Sequence, residues 1–132
     1  MAEIRPVVLV YSDNEPVGPA LRFVLDMEAM EVRLCPDAAA LLGSPALPGA
    51  HCLVLKDHPP QVDGCALSHE ARRKGAQGPV ILLVDAATPQ VKARAAAAQI
   101  WLVLEKPVMD SRLIDAIMSC VPRREAYVEI PK

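Results

Sequence analysis

Five short apolar runs recur along the chain: VVLVY (7–11), EVRLC (31–35), CLVL (52–55), VILLV (80–84) and WLVL (101–104). Four of them are almost uninterrupted, without the polar alternation of a strand that has one face in water. Strands apolar on both faces must be covered on both faces, so helices are expected on each side of a parallel sheet. Helix-like runs do separate them. In PVGPALRFVLDMEA (16–29) the apolar positions Ala20, Phe23, Val24 and Met27 fall at i, i+3, i+4 and i+7, the spacing of one helix face. Pro16 and Pro19 suit its first turn. Pro36-Asp37 opens a short helix, Ala38 to Leu42, ended by Gly43. Cys65 to Lys74 is a third helix, stopped by Gly75 and Gly78. Thr88 caps a fourth with Pro89 in its first turn, reaching about Ala98. Asp110 caps a last helix, Ser111 to Cys120, which Pro122 ends.

Five strand–helix units joined by right-handed crossovers predict a doubly wound, flavodoxin-like (βα)5 parallel sheet with strand order 2-1-3-4-5. The 132 residues suit one domain, with a core over about 6–121 and a tail over 122–132. In this architecture the carboxyl ends of the strands gather into one crevice. Residues 11–14, 35–37, 56–58, 84–88 and 105–107 are therefore the places where chemistry is expected.

Composition excludes several partners. Hydrophobic residues make up 52% and aromatic residues 3%, so the core must be aliphatic. A net charge of −2, with no Lys/Arg run beyond ARRKG (71–75), argues against a nucleic-acid partner. No apolar run approaches the roughly 20 residues of a membrane span, so a soluble, cytoplasmic protein without a membrane partner is expected. Cys35, Cys52, Cys65 and Cys120 show no CxxC-type spacing and read as small buried hydrophobes.

VVLVYSDNEPVGPALRFVLD (7–26), VDG (62–64) after Pro60, and LEKP (104–107) together resemble the receiver domain of bacterial two-component response regulators, in the style of the FixJ group. The resemblance covers about residues 6–121. It implies two adjacent acids after the first strand that hold Mg²⁺. It implies an aspartate ending the third strand that accepts phosphate from a histidine kinase. A Thr or Ser ending the fourth strand and a Lys ending the fifth would bind the phosphoryl oxygens. An aromatic residue on the fifth strand would swing with that hydroxyl, and the proline after the lysine is typically cis.

Counted from Asp63-Gly64, the acceptor position holds Lys56. Counted from Lys106, the hydroxyl position holds Val84 and the aromatic position Val103. The two acids fall on Ser12 and Asp13. Only Asp13 and Lys106 match. An ammonium accepts no phosphoryl group as an acyl phosphate and repels a divalent cation, while Mg²⁺ prefers several oxygen ligands. Neither Mg²⁺ nor enzymatic activity is expected. Lys56 is expected to pair with Asp13, with Lys106 sharing Asp13 or turning to Asp57 or Asp85. The alternative is that Lys56 snorkels to solvent over a decayed pocket. Asp57 is a second candidate acceptor, although strand alternation aims it away from Lys56. His58 reads as a loop residue.

A receiver fold without that chemistry still has surfaces. The family's output face is the fourth helix, fifth strand and fifth helix, where Lys92, Arg94, Trp101 and Val103 are candidate contacts and Ala95 to Ala98 form a smooth stretch. The chain ends about ten residues past the last helix, and if it is whole no DNA-binding output domain is expected. The first reading is a protein-interaction module that binds or inhibits a sensor histidine kinase, as FixT-type receivers do, with a homodimer through that face as a further expectation. The second is a receiver phosphorylated at Asp57. The third is a redox or iron–sulfur sensor using Cys35, Cys52, Cys65 and Cys120. One intramolecular cluster would strain the fold, because Cys35 and Cys52 belong at opposite ends of neighbouring strands, roughly 10–13 Å apart.

Overall fold

The computed structural model describes residues 6–13, 17–106 and 111–120, the side chains of Val17 and Cys120 excepted. Within them the chain alternates strand and helix: β1 (Val7–Tyr11), α1 (Val17–Met27), β2 (Glu31–Cys35), α2 (Ala38–Leu42), β3 (Cys52–Asp57), α3 (Gly64–Arg73), β4 (Val80–Val84), α4 (Pro89–Ala97), β5 (Leu102–Glu105) and α5 (Arg112–Cys120). All strand pairs are parallel, in the order β2-β1-β3-β4-β5. This is the flavodoxin-like arrangement that the strand runs predict.

Strand alternation splits the aliphatic core into two layers. Val8, Val10, Val54, Ile81 and Leu83 point to one face, where Leu21 and Leu25 of α1 and Leu113 and Ile117 of α5 cover them. Leu9, Leu53, Leu55, Leu82 and Val84 point to the other, beneath Leu41 of α2, Leu67 of α3 and Ala95 of α4. Capping fixes where three helices start. Asp37 accepts from the Ala40 N–H at 2.8 Å, Asp63 from Ala66 at 3.0 Å and Thr88 from Val91 at 3.1 Å.

Three local expectations change. β3 runs two residues further, because Lys56 and Asp57 pair with Leu83 and Val84 and remain buried in the sheet. β5 begins at Leu102, which leaves Trp101 outside the strand and 47% exposed. The apolar stripe that marks the first helix also divides. Gly18, Leu21 and Leu25 face the sheet, Val24 is half-buried, and Ala20, Phe23 and Met27 face outward. The expected face is therefore mostly the exposed one, and the covered face is the one that carries Gly18, Leu21 and Leu25. Gly18 lies so close to Ser12 that a Cβ there would collide with the serine hydroxyl.

Pro16, Asp110, the proline of LEKP (Pro107), Pro122 and the tail 122–132 lie outside the described residues. Among the described residues no helix is long and apolar enough to cross a membrane.

Candidate functional site

The carboxyl ends of β1, β3, β4 and β5 meet in a charged crevice. Two consecutive residues of β3 enter it from opposite faces of the sheet, as strand alternation requires. Lys56 points to the α1/α5 side. Its ammonium donates to both oxygens of Asp13, at 2.9 and 3.0 Å, just past the end of β1. The lysine side chain is 11% exposed and the aspartate 35%, so the cation is the more deeply buried partner. Its Nζ also lies 6.0 Å from the Tyr11 ring centroid, at the outer edge of a cation–π contact. Burial and the nearby Asp13 carboxylate raise the Tyr11 pKa, with the lysine charge opposing them. The snorkelling alternative for Lys56 therefore gives way to the paired arrangement.

Asp57 points to the α3/α4 side, and its side chain is 2% exposed. One carboxylate oxygen accepts from the Gly64 N–H at 2.8 Å and the other from Arg94 Nη1 at 3.2 Å. Arg94 reaches further, to the α3 cap Asp63, at 2.9 Å through Nη2. The hydrogen bond to Asp57 holds the guanidinium pKa up, against some desolvation. A buried carboxylate requires a compensating cation, and α4 supplies it. Gly64 makes the approach feasible. A Cβ there would sit 2.6 Å from the Lys56 carbonyl oxygen and against a Leu82 methyl.

Arg94, expected among the contacts of the α4–β5 face, is instead bonded to Asp57 and Asp63, with 39% of its side chain exposed. It turns inward and ties β3, α3 and α4 together. The other residues expected on that face distribute as follows. Lys92 is exposed, Trp101 is half-exposed at the foot of β5, and Val103 is half-buried against the α2–α4 layer. Val84 is buried beside Asp57 and offers no hydroxyl to the crevice. The Lys106 N–H donates to the Val84 carbonyl at 2.8 Å, which holds the start of the β5–α5 loop at the crevice mouth. The Ser12 N–H donates to the Cys35 carbonyl at 2.8 Å, while its hydroxyl lies against Gly18 of α1.

His58 is more than a loop residue. Its backbone exchanges hydrogen bonds with Val62, at 2.8 and 3.0 Å, across a turn containing the cis Pro59–Pro60 peptide. Its Nδ1 lies 2.6 Å from Asp85 Oδ2 at the end of β4. Sequence reasoning missed this pair and the Arg94 bridge. The one signal that pointed toward the bridge was Asp57 itself, a charge in an otherwise apolar strand.

The residues present do not suit the Mg²⁺ site that the resemblance implies. Mg²⁺ needs near-octahedral oxygen ligands. Here an ammonium occupies both Asp13 oxygens, the Ser12 hydroxyl lies against α1, and Asp57 is engaged from the far side of the sheet. Among the described residues no three His, Cys, Asp or Glu side chains gather as metal ligands. Cys52 belongs to the α1/α5 layer, and Cys35 and Cys65 to the opposite one. Burial raises the thiol pKa of both Cys35 and Cys65.

A doubly wound sheet in this order, with a charged crevice where its strands end, defines the flavodoxin-like α/β class. The model of the response regulator receiver domain matches residues 8–118, and the chain belongs to that family of two-component signalling modules. It is 33% identical over 122 residues to the transcriptional regulatory protein FixJ of Bradyrhizobium diazoefficiens. That match covers 89% of this chain and 58% of FixJ, so the chain spans little more than half of that relative's length. Among solved structures, the crystal structure of FixJ-N is 25% identical with a TM-score of 0.71, covering 89% of this chain and 94% of that one. The Francisella response regulator 1452 receiver domain (TM-score 0.75, 20% identity, 88% of this chain and 96% of that one) shares the fold. So does Vibrio cholerae chemotaxis protein CheY4, at TM-score 0.77 and 17% identity, over 89% of this chain and all of that one.

Proposed function

We propose that this chain is a receiver-fold signalling protein that works by protein–protein contact without phosphoryl transfer, with a sensor histidine kinase as its partner. The observation that carries the reading is the Lys56–Asp13 pair. An ammonium stands where the family places its acceptor carboxylate, and it engages the one remaining acid of the metal pocket. The crevice thereby holds a built-in cation already neutralised by Asp13. Val84 supplies no hydroxyl to follow a phosphoryl group, and Val103 has no ring to relay one. The reading includes no resident Mg²⁺ and no iron–sulfur cluster.

The two functions separate in one experiment. The protein is incubated with acetyl phosphate and Mg²⁺, and separately with an autophosphorylated histidine kinase, and its intact mass is recorded. The expected result is an unchanged mass. A phosphoryl adduct that disappears in Asp57→Asn would establish the second function, phosphorylation at Asp57, and end this one. Partner choice is read by retention on immobilised dimerisation and phosphotransfer domains of sensor kinases, and by the rate at which those kinases phosphorylate an intact regulator in its presence.

A further inference from the structure

Little apolar surface holds α4 to the sheet. Of its nine residues only Ala95 is buried. Val91, and Ala98 just past the end of the helix, are half-buried against the same layer. By contrast α1 sets Leu21 and Leu25 into the core, α3 sets Leu67, and α5 sets Leu113 and Ile117. A leucine side chain removes far more apolar area from water than an alanine methyl. A helix of nine residues is also too short to be stable alone in water, so α4 depends on what it docks against.

Its neighbour offers little grip. The seam between α3 and α4 is an open groove of about 430 Å³, and its apolar lining is made of small residues, Cys65 and Ala66 on one helix, Ala97 and Ala98 on the other. Side chains this short do little to interlock two helices.

The main tie across the seam is ionic. Arg94 reaches over it to Asp57, at 3.2 Å, and to Asp63, at 2.9 Å. Both carboxylates also have partners on their own side. Asp57 accepts from the Gly64 N–H and Asp63 from the Ala66 N–H, both in α3. If the guanidinium lets go, β3 and α3 keep those bonds, while α4 keeps only its small apolar contacts. We propose that Arg94 is a latch: its bridge closes the α3–α4 seam over Cys65, and when the bridge opens α4 lifts away from α3 while the sheet and the other helices stay in place. Closed, the seam leaves Cys65 9% exposed. Open, it presents Cys65, Ala66 and the inner face of α4 as new apolar surface.

Cys65 reports the state of the seam. The full chain is treated with N-ethylmaleimide under native conditions, and modification is followed cysteine by cysteine through mass spectrometry of its peptides. Cys52, wholly buried in the opposite core layer, reads global unfolding. Cys65 is expected to react faster than Cys52, at a rate that low urea leaves nearly unchanged, as a local opening requires. Arg94→Gln is expected to raise the Cys65 rate about 10-fold or more. Asp63→Asn, at an exposed position, keeps a capping residue for α3 and gives up one arm of the bridge, so a rise of about 3-fold is expected in a fold that is retained. Burial raises the Cys65 thiol pKa and the Arg94 charge opposes it, so loss of that charge by itself would slow the reaction. Acceleration in Arg94→Gln therefore marks exposure of the thiol. A Cys65 that reacts only in step with Cys52, or that keeps its parental rate in both variants, overturns the proposal.

Discussion

Lys56 and Asp13 form an unequal pair, and their inequality dictates how the protein responds when either is changed. Two unit charges 2.9 Å apart attract by about 6 kcal/mol in a medium of effective dielectric near 20. Most of that offsets the cost of taking the lysine out of water, because its side chain is 11% exposed against 35% for the aspartate. Lys56→Met keeps the aliphatic stem, removes the buried charge and leaves Asp13 to be hydrated. It is expected to cost about 1 kcal/mol or less. Asp13→Asn keeps size but removes the charge that compensates a buried ammonium. Breaking a fully buried pair costs roughly 3–5 kcal/mol. The partly open crevice lowers this to about 2–3 kcal/mol. The double variant should recover about 1–2 kcal/mol of the summed loss. Urea unfolding followed by circular dichroism resolves the difference, since about 2 kcal/mol moves the midpoint by roughly 1 M for a domain of this size. The reasoning is refuted if Lys56→Met proves the more damaging change, or if the two losses simply add.

Further outcomes are expected elsewhere in the molecule. Arg94→Leu leaves the Asp57 carboxylate without its cation and should cost about 2 kcal/mol, roughly 6 °C in Tm, because Arg94 itself is partly solvated. In an Asp57→Asn background the same change should cost less than half as much, and equal losses in both backgrounds would show that the pair is uncoupled. Alkaline pH should expose the buried thiols of Cys35 and Cys65. Their folded pKa values are raised by burial above the ordinary 9.0, so the stability they contribute is complete below that value and is lost as pH rises through their folded values. Stability measured across that window should fall less steeply in a Cys35→Ala/Cys65→Ala variant than in the parent.

Much of the fold was legible because its rules are local. Four apolar runs with little polar interruption, separated by helices, admit few architectures other than a parallel sheet covered on both sides. Asp37 and Thr88 mark helix starts through hydrogen bonds to a backbone three residues on. Alternation along β3 was enough to expect Lys56 and Asp57 on opposite faces of the sheet. The site was legible to the same depth: the spacing from Asp63-Gly64 selects Lys56, and its charge needs an acid, for which Asp13 is the nearest candidate at a neighbouring strand end.

What the sequence could not reveal was set by distance along the chain and by choice between equals. Arg94 is 37 residues from Asp57, and nothing in its neighbourhood distinguishes a solvated arginine from one folded back on β3. His58 and Asp85 meet only because the ends of β3 and β4 are adjacent. On α1 the i, i+3, i+4, i+7 spacing selects Ala20, Phe23, Val24 and Met27, yet Leu21 and Leu25 are the residues covered, because the helical period alone does not say which apolar face meets the sheet. The sequence determined that a sheet would form, where its elements begin, and that an amine would stand at the end of β3, because propensity, alternation and spacing act over a few residues. The tertiary structure decided which helix face is covered, which carboxylate takes which cation, and which apolar side chains stay in water, because those outcomes depend on what the rest of the chain brings within a few ångströms.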